Sequence, residues 1–100
     1  MDDVAKSRLV HNEALFRAIN EQVLFLEERL GNRDGLFLCE CADIACLEKV
    51  SLHVDEYARI HDDERRFFVV PGHERAEVET VVKRHPNYLV VEKKVPVSQI

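Results

Sequence analysis

Between Val4 and Leu30 the chain contains neither glycine nor proline, and good helix formers dominate the stretch. In a protein of 100 residues, one rod of this length constrains everything else: the remaining elements must be built against it or beside it. Gly31 follows the last apolar position, where a C-capping glycine belongs. Gly31-Asn32-Arg33-Asp34-Gly35 then reads as a turn. A helix over 4–30 would span about 40 Å at its ordinary rise. The rest of the chain, compactly folded, would be only about 22 Å across.

The apolar positions on this helix are informative. Leu9, Phe16, Ile19, Val23, Leu26 and Leu30 fall on alternating steps of three and four, with Asn12 the one interruption. That is a heptad seam of about three repeats. Leu15, Ala18 and Phe25 widen it, as expected of a helix that packs on its own sheet. The alternative is pairing with a second copy, with Asn12 setting the register. Because the rod outruns its platform, the balance tips toward a homodimer built on the segment 1–30.

Residues 36–41, Leu-Phe-Leu-Cys-Glu-Cys, read as a strand and 42–45 as a turn. Residues 48–52 alternate in polarity and read as a second strand, followed by a short helix over 54–62 with His53 or Asp55 at its N-cap. Arg66 to Val70 form a third strand that Pro71-Gly72 stops. Phe67 and Phe68 point to opposite faces, which leaves one of them for an exposed or partner-binding side. The β-branched residues around Val78–Val82 favour a hairpin, 78–84 with 88–94, turned at His85-Pro86-Asn87. The expected architecture is α+β: a long N-terminal helix, then a metal-binding unit over 36–94 holding one small antiparallel sheet of four or five strands and an inserted short helix. A loose tail, 95–100, ends the chain.

Composition excludes several classes. Fourteen Lys and Arg against nineteen Asp and Glu give a net charge of −5. No broad basic footprint for nucleic acid exists. No apolar run approaches the length of a membrane span. The opening Met1-Asp2-Asp3 is acidic where a signal peptide is basic, so a cytoplasmic protein is expected. Three cysteines within eight residues make a poor disulfide framework in such a compartment.

Those cysteines carry the chemistry. In Cys39-x-Cys41-x4-Cys46, alternation along a strand puts the first two sulfurs on one side, and the turn returns the third. Zn2+ takes four nitrogen or sulfur donors tetrahedrally, so three thiolates leave one place. Of the five histidines, His11 lies on the long helix surface, His53 has a capping role, His61 ends a helix and His85 sits in a hairpin turn. His73 follows a strand in Val70-Pro71-Gly72-His73-Glu74, a loop that Pro and Gly pre-form, and is the leading fourth ligand. His53, a water or a carboxylate such as Asp43 or Glu40 are the alternatives.

Taken alone, a buried cysteine is a small hydrophobe and a loop histidine is a surface residue; the argument for a site rests on their combination. No G-x-S-x-G, phosphate-cradling glycine loop or H-E-x-x-H occurs. The expectation is one structural zinc in a non-catalytic interaction or regulatory module. A thiol-based redox sensor or small thiol enzyme using Cys39, Cys41 and Cys46 is the alternative.

The segments Phe37-Leu-Cys-Glu-Cys-Ala-Asp, Cys46, Glu56-Tyr57, Arg66-Phe67 and Val70-Pro-Gly-His-Glu, with Arg17-Ala-Ile-Asn-Glu before them, resemble small actinobacterial proteins of similar length. The resemblance runs from about residue 11 to 94 and implies a bacterial, cytoplasmic setting. It brings no activity, substrate or catalytic residue.

Overall fold

The computed structural model describes residues 3–94 except 42 and 44, and for residues 3–7, 9 and 10 the backbone alone. Leu9 and the tail 95–100 therefore lie outside the described side chains. Helix α1 (Asp3–Leu30) is followed by β1 (Asp34–Leu38), β2 (Lys49–His53), α2 (Val54–His61), β3 (Arg66–Val69), β4 (Glu79–Arg84) and β5 (Leu89–Lys93). The class is α+β, as the sequence indicates.

The helix ends as its sequence dictates. Gly31 has φ 74°, and its N–H donates to the Glu28 carbonyl while the Asn32 N–H reaches the Glu27 carbonyl. This is the doubly bonded left-handed cap that glycine favours. At 28 residues, α1 matches the long dimension of a molecule measuring 43 × 25 × 24 Å.

The strands form two sheets rather than one. β1 pairs antiparallel with β2, and β3-β5-β4 form a separate antiparallel sheet. The split occurs in one residue step. The Cys39 N–H still donates across to Glu48 beside β2, but the Glu40 N–H donates to the Phe68 carbonyl on β3. The chain leaving β1 thus passes from one sheet to the edge of the other. It also ends the strand at Leu38, so Cys39 and Cys41 lie beyond the strand expected over 36–41.

The core has two halves, one on each face of the three-stranded sheet. Phe68, Tyr88 and Val90 meet Phe37, Val50, Leu52, Tyr57 and Ile60 from β1, β2 and α2. Phe67, Val69, Leu89 and Val91 meet the three cysteines. Both Phe67 and Phe68 are fully buried; with the sheet covered on both sides, neither is left for a partner.

Helix α1 turns a different stripe inward from the one its heptad suggests. Glu13, Phe16 and Asn20 are buried, and Val23 and Leu24 pack against the first core half. Ile19, Leu26 and Leu30 of the heptad series are exposed, together with Leu15 and Phe25. The reason is polar. Asn20 donates to the Leu38 carbonyl at 2.7 Å and accepts from the Leu38 N–H at 2.8 Å, completing backbone groups at the end of β1. Arg17 donates to the carbonyls of His61, Asp63, Glu64 and Arg66 and lies 4.9 Å over the Phe67 ring. These fixed bonds set the rotation of the helix.

Candidate metal centre

Three backbone segments deliver the cluster. Cys39 and Cys41 follow β1 with alternating side chains, Cys46 closes the next loop, and His73 comes from the turn after β3. That turn has Pro71 and Gly72 at its centre, Gly72 at φ 95°, and a His73 N–H bonded to the Val70 carbonyl at 2.9 Å. Proline then a left-handed glycine is the composition of a type II turn. His73 therefore leaves a backbone with little freedom.

The three sulfurs and one ring nitrogen lie within 4.8 Å of one another, and the four side chains could hold a metal ion. Nδ1 of His73 is 3.7 Å from Cys39 Sγ and 3.6 Å from Cys46 Sγ. A tetrahedron with ordinary zinc–sulfur and zinc–nitrogen bond lengths has an N···S edge of about 3.6 Å. The cysteines are buried, and the Val70 N–H donates to Cys39 Sγ at 3.2 Å.

The histidine is oriented from behind. Its Nε2 is 3.1 Å from a Glu48 carboxylate oxygen. A proton on Nε2 satisfies that contact and leaves the Nδ1 lone pair facing the sulfurs. A carboxylate behind a ligating histidine is the usual outer partner of a metal site. Without metal, hydrogen bonds from Cys39 and then His73 bring the Cys41 thiol down to about 5. Its hydrogen bond to Cys41, then burial, push Cys39 up, and burial raises Cys46.

The other proposed fourth ligands are engaged otherwise. His53 Nδ1 accepts from the Asp55 N–H at 3.1 Å and caps α2. Asp43 accepts from the Ala45 N–H at 2.9 Å within the cysteine loop. His11 is exposed, and His85 stacks on Tyr88 and accepts from the Asn87 N–H.

Glu40, between two cysteines of the cluster, points the opposite way and is fully buried. Its oxygens accept from Tyr57 OH at 2.6 Å, Asn20 Nδ2 at 3.0 Å and the Phe68 N–H at 3.0 Å, and contact His61 Nε2 at 3.0 Å. Burial and the Glu40 charge push the Tyr57 hydroxyl upward. His61, at the end of α2, is sealed against this carboxylate. The signal was present in the sequence. Alternation forces Glu40 away from the cysteines, and Tyr57 and His61, four apart, share one face of α2.

A second buried cluster lies at the far end of the three-stranded sheet. Lys93 contacts Glu13 of α1 and bonds Glu79 of β4 at 2.6 Å, with its Nζ 4.8 Å over the Phe67 ring. Burial, then the neighbouring Glu79, raise Glu13 to about 9.

Compared with known protein families, curated proteins and solved structures, the chain matches none. Among the described residues, no helix is long and apolar enough to cross a membrane.

Proposed function

We propose that this chain is a non-catalytic, zinc-stabilised module of the cytoplasm that pairs with a second copy and serves protein interaction or regulation. The observation that carries the reading is the closed donor set of Cys39, Cys41, Cys46 and His73. Soft sulfur donors with one imidazole suit Zn2+, and four protein ligands leave no position for a substrate. The hollow beside Cys41 and His73 is only about 180 Å³, below the size of ordinary ligand pockets. A reducing compartment keeps the three thiols available to metal.

The partner surface is the outer face of α1. Leu15, Ile19, Phe25, Leu26 and Leu30 are 40–71% exposed. A two-fold pairing along this face would have to cover about 1,000 Å² in total, the lower bound of a specific interface. A second copy supplies a matching rod of equal length.

The test is elemental analysis of protein purified under reducing conditions without added zinc. One equivalent of zinc, lost with stability in Cys41→Ser, is expected. Less than about a tenth of an equivalent of transition metal, with melting unchanged by chelator, refutes the zinc reading. Rapid native-state thiol reaction in that metal-free protein would favour the redox alternative. Sedimentation at micromolar concentration should show a dimer that Ile19→Glu with Leu26→Glu dissociates. A monomer of 11.6 kDa before substitution refutes the pairing.

A further inference from the structure

We infer that the hollow between α2 and the three-stranded sheet is a binding site for a phosphomonoester carried on a small apolar body. The hollow is about 450 Å³ and is lined by Glu56, Arg59 and Ile60 of α2, Arg66 of β3, Val82 and Lys83 of β4, and Tyr88 and Val90. That volume falls within the range of small-molecule sites.

Its charge runs against that of the molecule. The chain carries −5 overall, yet three cations from three different elements meet here. Arg59 and Lys83 make no side-chain hydrogen bond or ion pair among the described residues. Arg66 has only a 3.8 Å contact with Asp63, both nearly half exposed, an interaction that water largely screens. The one acid, Glu56, accepts a hydrogen bond from Tyr88 OH at 2.9 Å. The lining keeps a net charge of +2, which matches a dianion. Two guanidinium forks and an ammonium suit phosphate oxygens better than a single carboxylate, which one arginine would satisfy. Ile60 and Val90 are buried beneath, and Val82 is 41% exposed beside them, giving the ester's body an apolar floor.

The backbone is shaped to produce this arrangement. The register of β4 against β5 slips between Val81 and Lys83. Val81 lies opposite Val91, whose side faces the cysteines, whereas Lys83 lies opposite Val90, whose side faces α2. Strict alternation would have sent residue 83 to the cysteine side. The extra residue of the bulge re-aims Lys83 toward the hollow, a recurring use of bulges near binding sites.

The test is a titration of the full-length protein with phenyl phosphate, followed by amide NMR shifts at low ionic strength. Saturable shifts confined to residues 56–60, 66, 82–83 and 88–90 are expected, with inorganic phosphate binding at least about fivefold more weakly for want of the apolar body. Arg59→Ala and Lys83→Ala, both at exposed positions, should each weaken binding about tenfold, the worth of one charge-assisted pair, at unchanged melting temperature. Absence of saturable shifts up to about 10 mM, equal affinity for inorganic phosphate, or indifference to both substitutions would overturn the inference. So would tighter binding of a single-stranded oligonucleotide at the same residues, which would make the hollow a nucleic-acid contact.

Discussion

At the scale of single residues, the buried polar groups specify this molecule. Glu40 receives hydrogen bonds from helix α1, helix α2 and strand β3 at once, so it ties together elements far apart in sequence. Tyr57→Phe removes one charge-assisted donor while keeping the ring stacked 4.1 Å from Phe37. The expected cost is about 2 kcal/mol, read as a lower urea midpoint at unchanged slope. Glu13 gives a pH signature. Its folded-state pKa of about 9 lies above the ordinary 4.5, so the folded protein keeps a proton that the unfolded chain releases in that window. The stability due to this group is present below the lower value and is lost as pH rises toward the upper one. Glu13→Gln mimics the protonated form beside Glu79 and Lys93. Its melting temperature relative to the parent should rise steadily from pH 5 to pH 9; a constant difference would show that Glu13 is ionised throughout.

Among the elements, the turn after β3 and the face of α1 matter most. Gly72 has φ 95° with open space where a Cβ would stand, so Gly72→Ala is strained by its backbone alone. The strain is about 1–2 kcal/mol, and relief of it would displace His73 from the sulfurs. Zinc affinity should fall about tenfold, measured by competition with a chromophoric chelator, while the cysteine-only contacts persist. Helix α1 reads as a heptad, but the heptad straddles two faces. Phe16 and Val23 go inward and Ile19, Leu26 and Leu30 go outward, because Arg17 and Asn20 lock to backbone carbonyls on the inner side. Apolar periodicity reports that a helix has an inner stripe; it is blind to the hydrogen bonds that choose which face that stripe follows.

For the whole molecule, the cluster sits where the two sheets are joined. Cys39 leaves the two-stranded sheet, His73 leaves the three-stranded one, and the Cys46 loop spans between them. Chelation should therefore loosen the junction before the sheets themselves. We expect hydrogen exchange to accelerate first at residues 39–46 and 70–75, with a melting temperature lower by about 10 °C or more, given the energy structural zinc supplies to small folds. Uniform acceleration over all strands would mean instead that the metal and the core form one cooperative unit.

Much of this was legible locally. The glycine that stops α1, the Pro-Gly turn that carries His73, the hairpin of β4 with β5, and the convergence of two alternating cysteines all follow from backbone preference and short-range spacing. Those forces act within a few residues, and a sequence displays them directly. The handover of the chain from β2 to β3 at Glu40 and the buried meeting of Glu13, Glu79 and Lys93 were decided only by tertiary structure. Each joins residues from separate elements, and each ionisable group is sealed only because its partners arrive from elsewhere in the fold. Burial makes an unpaired polar atom costly, and that cost selects among sheet arrangements and helix rotations that the apolar pattern alone leaves nearly equal in energy.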